Sequence, residues 1–511
     1  MRFLKLNNMR VKILSLTVLL TAVLGFSQEN VFLQRSYWKT NPSIVDVEKS
    51  IVEGNDATEL NRNMFDGVCY AILENASNAT IKHLIGKKGN EVDKITHDGR
   101  TYIFWAAYKN NLKLVKWLVG QGARADIEDA HGYTVLNFAA NAGQSNTALY
   151  DFLLEHKADI NATTRSGANA LLLVASGAKN MTILDYFMEK GLAFDSLDDH
   201  GNGIFQYAAK GGNLEVLKAL EAKGADVELI NTKGENALFM AARGTRSKQH
   251  PKAIFAYLKG LGLDGTVTNN EGKNLLHLLA NRNSNIDVFQ YYLDKGLDAN
   301  AQDKNGTTAL MIAARGNSLE VVELLIDTVK DINVQDKKGH SALAMAVSRN
   351  APAVVQLLLR EGADVSLMDA DGNTLAYYLM KSYDAKDLEG FESKWALLRN
   401  AGLSLVKVQH DGNTLLHLAA KENNMSLLKR LEGLDIDINK KNDEGNTPLH
   451  LAAMSTGNAD ILTYLISRGG DVTVKTDFEE TVYDLAKENE LLQQQKIDLD
   501  FLKAKNKMQG K

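Results

Sequence analysis

Cysteine and proline are nearly missing from these 511 residues: there is one Cys, at position 69, and four Pro. A single thiol excludes an internal disulfide, so the fold must be held by packing alone. Four prolines leave no room for a proline-rich linker. With 45% apolar and 24% charged residues, the composition is that of a globular, helix-favouring chain. Catalytic signatures are absent too. No H-E-x-x-H, G-x-S-x-G, P-loop or C-x-x-C occurs, so an enzyme has no support in the sequence, and Cys69 in its apolar helix reads as packed rather than nucleophilic.

The only long apolar run lies at the start. Arg2, Lys5, Arg10 and Lys12 form a basic region, Ile13 to Phe26 is a predominantly apolar run, and Gly25 and Ser27 place small residues before Gln28. This pattern predicts a cleavable export signal over 1–27, with Met1 or Met9 as the start. A membrane anchor is the alternative, but the run falls short of the ~20 residues a spanning helix needs. No cysteine follows the run, which speaks against a lipoprotein. Removing the signal's four cations takes the net charge from −5 to −9, which disfavours nucleic acid and anionic membrane as general partners. The expectation is an exported protein, periplasmic or secreted, with no stable membrane insertion after cleavage.

What the chain has in abundance is itself. Glycines at 99, 132, 167, 201, 234, 272, 306, 339, 372, 412 and 445 recur at intervals of 33 to 40 residues. Each opens the same grammar: a turn with Thr or a similar capping residue, a short apolar helix ending in Ala-Ala, a second helix with Leu or Val pairs, then Gly-Ala-Asp or a variant. Thr414 and Thr447 stand where a hydroxyl can cap a helix, and Ala419, Ala420, Ala452 and Ala453 are small enough for helices to approach closely. One such pair cannot bury its own apolar surface, so neighbours must stack.

The copies "GNTLLHLAA" from Gly412 and "GNTPLHLAA" from Gly445 resemble the ankyrin repeat, and the resemblance runs from about Phe65 to the C-terminus. It implies an all-α ankyrin-repeat solenoid of about twelve helix-turn-helix units with β-turn fingers and capping helices. The expected organisation is a signal over 1–27, a lead or capping segment over 28–64, repeats over 65–480 and a capping helix over 481–511. The stretch Val31 to Gly54 does not fit the repeat; it is expected to form a helix covering the first unit and burying Trp38. Two insertions, from Arg243 and from Lys381, are expected between the first and second helices of their units.

Several motifs are decoys in this setting. "GLGLDG" from Gly260 matches a dinucleotide fingerprint but follows a helical stretch and fills the Gly-Ala-Asp slot. "DIDIN" from Asp435 begins like a calcium loop yet has Lys440 where glycine is required. His277, His417 and His450 share a slot that is structural in the family. His97, His131, His200 and His410 sit near finger tips about a repeat apart. At a stacking distance of ~10 Å, no two are expected to share a metal. No cofactor or metal is therefore expected.

In the family the binding surface is usually the concave side, so the slots after Ala-Ala are the ones to read. They hold Lys109, Lys210, Arg243, Arg282, Arg315, Arg349, Lys381 and Lys421, with Asn141 and Ser176 among the exceptions. Cations at helix C-termini complement the macrodipole by ~0.3 to 1 kcal/mol each, which alone could explain them. Yet the fingers add Lys233, Lys273, Lys304, Lys337 and Lys338 to a chain that is acidic overall. The expectation is a non-enzymatic interaction module that binds an acidic segment of another protein through these cations. A scaffold for an anionic polymer and a passive envelope spacer are the alternatives.

Overall fold

The computed structural model describes residues 29–245 and 249–503, so the signal expected over 1–27 lies outside the described residues. The chain divides into two compact units, 1–226 and 227–511. Among the described residues there are 28 α-helices and no strand, arranged as helical repeats.

Unit 1 contains six helix pairs: α1 Arg35–Lys39 and α2 Ile44–Val52; α3 Gly67–Leu73 and α4 Asn78–Ile85; α5 Tyr102–Tyr108 and α6 Leu112–Gly120; α7 Val135–Asn141 and α8 Thr147–Glu155; α9 Ala170–Ala175 and α10 Thr182–Glu189; α11 Ile204–Gly211 and α12 Leu214–Ala222. Unit 2 contains eight: α13 Ala237–Arg243 and α14 Lys252–Gly260; α15 Leu275–Arg282 and α16 Ile286–Leu293; α17 Ala309–Gly316 and α18 Leu319–Ile326; α19 Ala342–Arg349 and α20 Pro352–Arg360; α21 Leu375–Lys381 and α22 Leu388–Asn400; α23 Leu415–Lys421 and α24 Met425–Arg430; α25 Pro448–Ser455 and α26 Asp460–Ser467; α27 Val482–Glu488 and α28 Glu490–Gln494. The fourteen pairs exceed the twelve units expected, because both end segments fold as further pairs.

The repeat in unit 2 shows how the letters make the shape. Thr308 and Ser341 cap α17 and α19 by accepting from the amides of Met311 and Ala344 at 3.3 and 3.2 Å. Ala313, Ala314 and Ala346 are buried, so the first helices of successive pairs stack closely, α15 on α17 and α17 on α19. Val321, Val322 and Leu325 bury the face of the second helix. The turn glycine is needed for shape as well as space. Gly339 has φ +77, and a Cβ there would lie 2.4 Å from the amide nitrogen of Ala370 in the next finger. The close approach has a purpose: each tip amide donates to the tip carbonyl of the finger before it, Lys304 to Glu271, Lys337 to Asn305 and Ala370 to Lys338, all at 2.8 Å.

Three expectations need correction. The lead segment is a pair, not one helix, because Asn41 takes φ +52 and Pro42 has no amide to continue α1; α1 packs on α3 and α2 on α4. Trp38 is fully buried, its Nε1–H donating to the Phe32 carbonyl at 2.8 Å. The C-terminal cap over 481–511 is likewise broken at Asn489. That side chain caps α28, while its amide donates back to the carbonyls of Ala453 and Thr456, both at 2.8 Å. Finally, the insertion after Lys381 is only partly a loop. From Leu388 it is helical and lengthens α22 to 13 residues, seating a buried Lys394 whose Nζ donates to the Val347 carbonyl at 3.1 Å. Burial pushes that ammonium's pKa down.

Candidate functional site: the inner helix ends

The eight cations expected to form a stripe occupy two helical positions, not one. Lys210, Arg243, Arg315, Lys381 and Lys421 are the seventh residues of their helices, whereas Arg282 and Arg349 are the eighth, and Lys109 follows the end of α5. One residue turns a side chain by about 100° around a helix, so these letters do not fall on one line. The sequence concealed this because the Ala-Ala pair is Leu-Ala in α15 and Ala-Val in α19, with an extra residue before each arginine.

Ion pairing divides the set further. Arg243 is held by Glu235, whose carboxylate is 1% exposed and also accepts from Asn269 Nδ2 at 2.7 Å. Lys381 pairs with Glu422 at 2.6 Å and lies over the Tyr377 ring. Arg282, Arg315 and Arg349 are exposed, and none has an ion-pair partner among the described residues; the same holds for Lys421. Lys109 and Lys210 are half-buried and belong to unit 1. What remains is a staggered set on three consecutive inner helices, α15, α17 and α19, with Arg315 one helical position out of line with Arg282 and Arg349.

The ends of those helices are fixed without the arginines. The Asn317 amide donates to the carbonyls of Ala280 and Asn283 at 2.8 and 3.0 Å, and the Asn350 amide to those of Ala314 and Asn317 at 2.9 and 3.2 Å. This ladder bonds carbonyls at the ends of α15 and α17, whereas at α19 the Val347 carbonyl is bonded by Lys394.

Further cations lie on the fingers before α13, α15, α17 and α19. Lys233, Lys304, Lys337 and Lys338 are exposed and have no ion-pair partner among the described residues, while Lys273 is taken by Glu271 at 2.6 Å. Between them and the arginines lie the fourth residues of the inner helices, Leu278, Ile312 and Met345, all half-buried. Sequence reading missed this apolar row. Its signal is visible in hindsight: the fourth residue of every inner helix from Trp105 in α5 to Leu485 in α27 is large and apolar or aromatic.

The histidines separate into two kinds. His277, His417 and His450 are buried, their Nδ1 on the capping residue and their Nε2 on a carbonyl of the next repeat: Thr307 at 3.0 Å, Asn446 at 2.9 Å and Val474 at 3.1 Å. Burial pushes all three imidazoles down, that of His417 to about 4. His97 and His131, on adjacent fingers, share a partner across the repeat spacing. Both place Nε2 near the same oxygen of Asp98, at 3.2 and 3.3 Å, because Asp98 turns at φ +58 and its carboxylate reaches between the two fingers. Arg100 already donates to that oxygen at 3.1 Å, and the described residues hold no group of three side chains suited to a metal ion. Cys69 is buried, and burial pushes its thiol well up, away from nucleophilic use.

No helix among the described residues is long and apolar enough to cross a membrane. Residues 68–164, 276–369 and 394–476, together more than half of the chain, match the protein-family model described as ankyrin repeats. Among curated relatives, the chain is 29% identical over 163 residues to the ankyrin repeat protein nuc-2 of Neurospora crassa, covering 32% of this chain and 15% of that protein. It is 39% identical over 203 residues to the palmitoyltransferase AKR1 of Lachancea kluyveri, 38% of this chain and 27% of that one. It is 28% identical over 153 residues to the neurogenic locus notch homolog protein 1 of Homo sapiens, 30% of this chain and 6% of that one. The chain therefore spans less than a third of the length of each of these relatives.

Proposed function

Because the chain belongs to the ankyrin repeat family, whose repeats generally mediate protein–protein interaction, we propose that it is a non-enzymatic binding module whose unit 2 takes an acidic segment of a partner protein. The observation that carries this reading is the set Arg282, Arg315 and Arg349: three consecutive inner helices carry an exposed arginine in their last turn for which no described residue supplies a carboxylate. On α15 and α17 the asparagine ladder already bonds end carbonyls, so the arginines there are not needed to cap them. The flanking finger lysines extend the same field, and a concentrated positive surface on a chain of net charge −5 both steers and selects an acidic partner.

The test is capture from cell extract with residues 28–511 beside a variant carrying Arg282→Glu, Arg315→Glu and Arg349→Glu. A protein retained by the unaltered chain and released by the variant, with both folded by circular dichroism, supports the reading. Equal retention by both would move the binding surface elsewhere, and no retention by either favours a passive spacer. We also place this binding outside the cytoplasm, on the basic start and the apolar run Ile13 to Phe26. Protein recovered from the exported fraction should begin at or near Gln28; recovery from the cytosol with 1–27 intact would overturn that placement.

A further inference from the structure

The acidic-partner reading leaves open what shape the acidic segment has, and the spacing of unit 2 narrows the regular choices. We infer that the trough on α15, α17 and α19 receives an amphipathic α-helix, its apolar face on Leu278, Ile312 and Met345 and its acidic flanks on the arginine and lysine rows. The inference rests on the function proposed above and adds the form of the ligand.

The first argument is width. The finger lysines precede the N-caps of the inner helices, while the arginines sit at their last turn; on α17 the N-cap Thr308 and Arg315 are separated by seven residues. At 1.5 Å per residue the N-cap ends and the arginine ends of the inner helices lie on the order of 10 Å apart, about the diameter of an α-helix with its side chains, and the finger lysines lie beyond the N-caps.

The second argument is pitch. Inner helices packed face to face stand about 8–10 Å apart, so Leu278, Ile312 and Met345 repeat at that interval along the stack. In an α-helix, residues i and i+7 lie on one face and rise about 10.5 Å, so side chains two turns apart meet successive repeats. In an extended strand, the same distance takes about three residues at ~3.3 Å each, an odd number, so alternate apolar side chains point out of the trough.

The third argument is chemistry within each inner helix. Leu278 and Arg282 are four residues apart, Ile312 and Arg315 three, and Met345 and Arg349 four, so each apolar residue shares a face with its arginine. Each of these three repeats thus offers an apolar seat and a guanidinium beside it, with an exposed finger lysine before α17 and α19, while Lys273 before α15 is paired with Glu271. A polyproline II segment also returns to one face every third residue, at about 9.3 Å, and is the rival the experiment must separate by shape.

Three labelled synthetic peptides of equal length and charge, titrated against residues 28–511 by fluorescence anisotropy, test the inference. The first carries Leu at i, i+3, i+4 and i+7 with Glu on both flanks. The second has the same composition with the leucines spread around the helix. The third is a Glu/Leu/Pro peptide of three-residue period. The first should bind at least tenfold tighter than the other two and gain helicity on binding. It should lose measurable binding to the triple Arg→Glu variant and weaken severalfold against Ile312→Ser. Equal binding of the first and second peptides, abolished by charge reversal, would overturn the helical inference while leaving the acidic-partner reading intact. Preference for the third would also overturn it. Failure of all three peptides, with partner capture from extract still sensitive to charge reversal, would overturn the helical form alone; failure of both assays would remove both readings.

Discussion

Two arginines show what separates the units. Arg100 of unit 1 lies beside a finger of its repeat and turns inward: its Nε and Nη2 reach Asp129 at 2.8 and 2.7 Å, its Nη1 reaches Asp98 at 3.1 Å, and its plane lies over Phe138 at 4.3 Å. Arg315 of unit 2 ends an inner helix, and no described residue offers it a carboxylate. The same residue type is a strut in one unit and a free contact in the other. The difference lies in the company and not in the residue: unit 1 places aspartates and aromatic rings around its cation, and unit 2 places a half-buried aliphatic row beside its own. Positive charge on a repeat becomes available for binding only where the fold withholds an acid.

The largest effect that would break this comparison is on stability. Arg100→Ala strands the fully buried Asp129 carboxylate and should cost about 3–5 kcal/mol, whereas Arg315→Ala should stay within about 0.5 kcal/mol. Urea unfolding of the two variants measures both; equal losses would erase the distinction between strut and contact.

Acid should come next and should act on unit 2 first. The repeat slot that holds His277, His417 and His450 in unit 2 holds Asn137, Leu172 and Gln206 in unit 1. For His417 the folded chain lowers the imidazole from 6.5 to about 4, favouring the neutral form. Above pH 6.5 both folded and unfolded states are neutral and nothing is lost. As the pH falls from 6.5 towards 4 only the unfolded state gains the proton, and stability drops by on the order of 3 kcal/mol. Hydrogen exchange at pH 7 and pH 5 should show protection falling around α23 before it falls around α7, and His417→Asn should flatten the difference; loss beginning in unit 1 would refute this assignment.

A smaller effect sharpens the division within unit 2. Glu235→Gln removes the acid that occupies Arg243 and should destabilise by about 1–3 kcal/mol through the broken buried pair. If the free arginines are the contacts, the released Arg243 should raise affinity for the amphipathic acidic peptide severalfold. Unchanged affinity would mean that position in the row matters more than charge. The smallest expected effect is that of Arg282→Ala alone, a few-fold loss at low salt that disappears as screening increases, read by repeating the titration at two ionic strengths.

The repeating architecture was legible because its causes are local. A glycine that must take positive φ, a capping hydroxyl and a pair of alanines each leave a letter at a fixed interval. The ends were less legible: Asn41 with Pro42, and Asn489, redirect the chain through single residues that carry no period. The site was legible as letters and illegible as geometry. Nothing near Arg243 or Lys381 in the repeat pattern announces that Glu235 and Glu422 will occupy them, since one acid is tucked under the finger and the other arrives from the following repeat. Likewise an average repeat spacing could not foresee that one aspartate in a left-handed turn would bring His97 and His131 to a common oxygen.

The asparagine ladder at the inner helix ends carries a consequence for how this surface can vary. Asn317 and Asn350 hold successive repeats in register through backbone carbonyls, while the arginines beside them have no ion-pair partner among the described residues. On the proposed reading, architecture and specificity are therefore written in adjacent but separate letters. The arginines could then be exchanged repeat by repeat, and a new partner acquired, while the frame that presents them keeps its fold.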